Sequence, residues 1–159
     1  MTLVVLAVAL IAAPAGAAEC HGTRLVALGE GCVDLPCEWH ATIGRPAIDS
    51  SGGYIRASTR PDDFSWVHYD GGFLFALQHA EVVSRRLSLH RWRLWWHAEV
   101  EFAGARQLVA TNGHIFFIGR KAAPDAEAIV ERLAAGYRTD IERSECELPE
   151  PFPPGPASH

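Results

Sequence analysis

Residues 91–102 read Arg-Trp-Arg-Leu-Trp-Trp-His-Ala-Glu-Val-Glu-Phe. Side chains on a strand alternate between its two faces. Trp92, Leu94, Trp96, Ala98, Val100 and Phe102 therefore form one row, and Arg91, Arg93, Trp95, His97, Glu99 and Glu101 form the other. Alternation sustained over this length predicts a strand. By composition, the first row belongs to the core and the second to the outer surface. Leu87 and Leu89 fall in the opposite phase, which predicts a bulge or turn near His90. The preceding segment, 79–86, reads as a helical turn or an irregular crossover.

Downstream, Ala103-Gly104 can reverse the chain, and Asn112-Gly113 separates the apolar runs 107–111 and 114–118. Asn-Gly favours a two-residue hairpin turn in which both central residues are left-handed. That turn pairs Ala110 with Ile115 and Val109 with Phe116. Upstream, FSWVHY and FLFALQ flank Asp70-Gly71-Gly72, a second hairpin signal over 64–78. Arg24 to Leu28 predicts a short strand before the turn Gly29-Glu30-Gly31, and Tyr54 to Ala57 another. Period-two patterning then gives way to three-and-four spacing over 124–137, where Ile129, Val130, Leu133 and Tyr137 recur. Pro124 suits a first turn, and Asp125 and Glu127 suit the positive end of the helix dipole. The fold class is α+β: a predominantly antiparallel sheet with a packed C-terminal helix, stabilised by disulfides.

The first eighteen residues, MTLVVLAVALIAAPAGAA, are uncharged and end in small residues. This is the pattern of a secretory signal peptide, too short for a membrane span, which needs about 20 apolar residues. The expected organisation is a signal over 1–18, one globular domain over 19–148 and a proline-rich flexible tail over 149–159. The expected location is secreted or periplasmic, with no stable membrane span in the mature chain. An oxidising compartment permits disulfides among Cys20, Cys32, Cys37 and Cys146. Of the three pairings, Cys32–Cys37 with Cys20–Cys146 is preferred, because the first closes a short loop and the second ties the ends. A zinc knuckle needs all four thiolates to converge, and the spacing of Cys32 and Cys37 is wider than such sites use.

A formal net charge of −5 argues against nucleic acid as a partner. Arg85, Arg86, Arg91 and Arg93 form the one local basic cluster. No His-Glu-x-x-His, nucleophile elbow, glycine-rich phosphate loop or dithiol redox pair is present. Four intervening residues separate Cys32 from Cys37, unlike a thioredoxin-type pair. His97, Glu99 and Glu101, with His114, would have to be drawn together to ligate an ion. An exposed polar row with Glu101 paired to Arg106 accounts for them more simply, so neither a metal nor a cofactor is assigned. Asp62, Asp63 and Asp70 read as hydrated turns rather than catalytic carboxylates.

The functional expectation is a noncatalytic binding or structural accessory protein. Its partner would be an envelope or extracellular protein, with a glycan or small ligand as rivals. Trp95 would serve as the apolar anchor, with Arg93 and Arg91 beside it on the outer row. The alternative is a small exported hydrolase or metal-dependent enzyme. If Trp95 lies instead beneath the helix, it is a core residue.

Overall fold

A computed structural model describes residues 20–44, 51–57, 60–68, 77–102 and 104–151. The strands are β1 Thr23–Leu28, β2 Gly31–Pro36, β3 His40–Ile43, β4 Ser51–Arg56, β5 Phe64–His68, β6 Glu81–His90, β7 Arg93–Phe102, β8 Ala105–Thr111 and β9 Ile115–Arg120. Helix α1, Ala126–Gly136, follows, then the short strands β10 Tyr137–Arg138 and β11 Glu150–Pro151. One sheet has eight strands in the order β11-β3-β4-β5-β9-β8-β7-β6, and the other has three, β1-β2-β10. Every pairing is antiparallel except β11 with β3. The α+β class and the disulfide-stapled antiparallel sheet are as the sequence predicts.

One face of the large sheet carries the main core. Ile55, Phe64, Trp66, Trp95, Ala110 and Phe117 point from the sheet toward Ile129, Val130 and Leu133 of α1 and toward Val26, Leu28, Val33 and Leu35 of the small sheet. The helix can lie this close because a Cβ on Gly119 would stand 2.7 Å from Val130 Cγ2 and 3.0 Å from Phe64 Cε1. Burying each of Ile129, Val130 and Leu133 contributes roughly 1.5–3 kcal/mol. The opposite face bears a smaller cluster, Val100, Val109, Phe116 and Ile118, with Leu77 and Ala80 packed against it.

Several local expectations change. The β7 strand begins at Arg93, and Arg91-Trp92 is a two-residue turn, left-handed at φ 49° and 64°. Residues 81–90 form a long edge strand rather than a crossover, with a register shift between Val82 and Ser84. The Asn112-Gly113 connection is longer than a two-residue turn, so Ala110 faces Phe117 and Thr111 faces Phe116. Gly113 is left-handed but Asn112 is not. Instead Asn112 Oδ1 accepts hydrogen bonds from the backbone N–H of His114 and Ile115 at 3.0 and 3.2 Å. A side-chain turn of this kind competes with the tight hairpin. The expected 64–78 hairpin does not form from β5, whose two edges are taken by β4 and β9. Leu77 and Gln78 are helical, and the Asp70-Gly71-Gly72 turn lies outside the described residues.

The disulfides join Cys20 to Cys37 and Cys32 to Cys146, which corrects the preferred pairing. Cys32 lies inside β2 and Cys37 just beyond its end. Five positions along an extended strand span roughly 16 Å at about 3.3 Å each, whereas bonded cysteines need Cα atoms within about 7 Å. The same hairpin brings Cys20 to Cys37, with Cα atoms 5.6 Å apart. The expected leader, 1–18, and the last part of the tail, 152–159, lie outside the described residues; Glu150 and Pro151 pair with Thr42 and Ile43. Among the described residues, no helix is long and apolar enough to cross a membrane.

Candidate functional site

The β6–β7 hairpin forms one end of the large sheet, and its two faces have different chemistry. Its register pairs Leu87 with Trp96 and Leu89 with Leu94 on the outward face. These four side chains are 51, 48, 62 and 52 % exposed, and Trp92 at the turn is 94 % exposed. The row assigned to the core from composition is thus mostly solvent-facing. Only Val100 from it is buried, and Ala98 is half-buried.

Trp95 faces the opposite way and is 1 % exposed. It stacks on Phe117 with ring centroids 5.9 Å apart and meets Tyr137 edge-on at 6.0 Å. It is therefore no part of the protein surface, which corrects its assignment as a binding anchor. Arg91 and Arg93 are exposed, and with Trp92, Tyr137, Arg138, Thr139 and Asp140 they line a cleft of about 460 Å³. Arg91 Nε donates to the Ala135 carbonyl at 3.4 Å, and Arg93 donates to Thr139 Oγ1. The indole beside these arginines is Trp92, hidden from sequence reading because Arg-Trp is not a composition that signals a left-handed turn.

Tyr137 closes the inner end of this cleft, its hydroxyl donating to the Leu28 carbonyl at 3.4 Å. Burial, with the nearby charge of Glu30, pushes its phenol from 10.0 up to about 12. A phenol that stays protonated longer in the folded state stabilises fully below pH 10, and that contribution is lost as pH rises toward about 12. Ultraviolet phenolate titration is expected to show one tyrosine ionising near pH 12, a phase removed by Tyr137→Phe. Complete titration of every tyrosine near the ordinary value in the folded protein would contradict it.

Behind the hairpin, Arg86, Ser88 and His90 of β6 and His97 of β7 face Glu131 on the outer side of α1. His90 Nε2 stands 2.7 Å from Glu131 Oε1, but without the alignment of a hydrogen bond. His97 Nδ1 lies 3.5 Å from Glu131 Oε2, and His97 Nε2 lies 2.7 Å from Ser88 Oγ. Arg86 is hydrogen-bonded to the same Oε2. His97 is 7 % exposed. Burial lowers its affinity for a proton, aided by Arg86 and His90 and opposed by Glu131. Burial alone would raise the Glu131 carboxyl, but the Arg86 hydrogen bond, the His97 and Arg86 charges and the close His90 ring hold it below the usual range. The site therefore favours an ionised carboxylate beside a neutral imidazole.

His97 and Glu99 share a face as expected, but Glu99 turns to Arg106 at 3.2 Å and Lys121 at 3.3 Å. Arg106 thus pairs with Glu99 in place of Glu101. Asp62 pairs with Arg120 at 3.2 Å, and Asp63 is buried with Oδ1 at 3.7 Å from Arg120 Nε, so both belong to a structural clasp. His90 and Glu131 escaped sequence reading because they meet only once the turn is placed at 91–92 and α1 is laid across the sheet. Comparison with protein families, curated proteins and solved structures gives no match.

Proposed function

We propose that the protein is an exported, noncatalytic binding protein that docks an envelope or extracellular protein through the outer face and tip of the β6–β7 hairpin. The observation that carries this reading is Trp92, an indole 94 % exposed on a turn that is left-handed at both positions. Left-handed backbone at a residue other than glycine costs about 1–2 kcal/mol, and such strain concentrates at working surfaces. Trp92 offers roughly 150–250 Å² of surface, continuous with Leu87, Leu89, Leu94 and Trp96. An apolar face that carries Arg85, with Arg91 and Arg93 at the tip on the helix side, suits a partner with an apolar patch and acidic groups at its edge. The apolar leader and the two disulfides support export.

A hydrolase is the second reading, because Ser88, His97 and Glu131 follow the order of nucleophile, base and orienting acid. The binding reading is preferred because the cleft of about 310 Å³ beside His97 is lined by Ser84, Arg86 and Glu127 but not by Ser88. Moreover, Glu131 serves two imidazoles rather than one. A photo-crosslinking residue at position 89, on the same face and 62 % exposed, with Trp92 kept, should form one discrete adduct in the producing cells. With that partner purified, Trp92→Ala should weaken binding about 30-fold, the effect of losing roughly 2 kcal/mol at an interface anchor. A fluorophosphonate should leave Ser88 unlabelled. Absence of any adduct, or full affinity in folded Trp92→Ala protein, overturns the docking surface. Labelled Ser88 establishes the hydrolase instead.

A further inference from the structure

We propose that His90, His97 and Glu131 form a binding site for a divalent transition-metal ion of the zinc type, clasping the β6–β7 hairpin to α1. The ligating atoms of the three side chains all lie within 4.8 Å of one another. Bonds of about 2.0–2.2 Å at tetrahedral angles put donors on one zinc ion about 3.3–3.6 Å apart. At its widest the set closes by up to about 1.5 Å to reach that spacing, a movement open to Glu131 and His90, whose side chains are 32 and 21 % exposed.

Three features favour a cation over a simple ion-pair network. His90 Nε2 and Glu131 Oε1 stand 2.7 Å apart without hydrogen-bond alignment. A zinc ion bound to both would spread them to about 3.4 Å and satisfy both lone pairs at once. Two imidazole nitrogens converge on a single carboxylate, whereas a catalytic triad needs only one of them. Finally, Ser88 Oγ occupies the far ring nitrogen of His97 at 2.7 Å. With Nε2–H donating to Ser88, Nδ1 is left as the free donor facing Glu131, the outer-shell arrangement that fixes a metal-binding histidine's tautomer and ring orientation.

Two nitrogens and one oxygen suit zinc and its neighbours rather than magnesium or calcium, which prefer oxygen ligands. A fourth position remains for water or for a ligand atom. The opposing element is Arg86, whose guanidinium already holds Glu131 Oε2. Its like charge competes with the ion, so the free protein carries its own substitute cation. The Arg86 side chain is 56 % exposed and has solvent to swing into when the ion enters. The clasp joins β6, β7 and α1, so an ion there steadies the hairpin whose outer face carries Trp92.

The test is calorimetric titration of the disulfide-intact protein with zinc chloride, with magnesium chloride as control. Wild-type protein should bind one zinc ion in preference to magnesium and melt at a higher temperature when loaded. His90→Ala and Glu131→Gln, both at partly exposed positions, should fold normally and weaken zinc binding by about 100-fold or more. Ser88→Ala should weaken it about ten-fold, as loss of an outer-shell partner does. Arg86→Gln should strengthen it, a result that a structural ion pair does not predict. Absence of zinc binding to wild-type protein, or unchanged affinity in folded His90→Ala and Glu131→Gln, overturns the site. Zinc bound by any of the chain's other histidines is exposed by that second outcome.

Discussion

Trp95→Ala is expected to lower folding stability by about 3–5 kcal/mol, the range for removing a large buried aromatic ring. The side chain is 1 % exposed and sits between Phe117 and Tyr137, the two rings that also meet each other at 6.0 Å. Its loss leaves a cavity among three elements: β9 carries Phe117, β10 carries Tyr137 and β7 carries the truncated residue. Trp92→Ala, one turn away and 94 % exposed, should shift stability far less. Equilibrium denaturation of both variants beside the wild type makes the comparison. Equal midpoints for the two would show that Trp95 does not lie in the core.

Removing the Cys32–Cys146 bond by a double alanine substitution is expected to cost about 4–5 kcal/mol, against about 3 kcal/mol for the Cys20–Cys37 bond. The difference follows from loop length, since the sequence separations are 114 and 17 residues. A longer closed loop removes more freedom from the unfolded chain. The long bond also anchors a segment that Ala27 N–H to the Glu147 carbonyl at 2.8 Å, Glu147 N–H to the Leu25 carbonyl at 2.9 Å and the Arg24–Glu147 ion pair at 3.0 Å hold to β1. With total stability of ordinary domains at about 5–15 kcal/mol, this variant should approach the edge of folding. Guanidinium midpoints under non-reducing conditions give the order, and a larger loss from the short-loop pair would refute the loop-length account.

These effects fall on features that the sequence places with unequal success. Helix α1 was legible because its apolar spacing and its first-turn acid Glu127 are local properties of the chain. The 107–120 hairpin was legible as a hairpin, but its register moved by two residues because Asn112 spends its side chain on capping the turn. The candidate sites were less legible still. Trp95 and Trp92 exchanged places between surface and core, and Glu131 stands far from His90 and His97 along the chain.

The sequence by itself determined the alternation of β7, the existence of α1 though not its bounds (it spans Ala126–Gly136, with Tyr137 in β10), the oxidation-ready cysteines and the α+β class. Each rests on periodicity or chemistry within a few neighbouring residues. Only the tertiary structure decided which face of β7 is buried. His97 pairs with Ala110 and Glu99 with Leu108, while Ala110 pairs with Phe117 and Phe117 with Trp66. Once Phe117 and Trp66 face the helix, the ladder carries Trp95 and His97 to the same side. The more apolar row, Leu94 and Trp96, is then left outside. A strand's own composition does not choose its face when its neighbours have already set the pleat, because hydrogen-bonded strands share one register. The same long-range ordering chose the cysteine partners and gathered His90, His97 and Glu131 behind the hairpin.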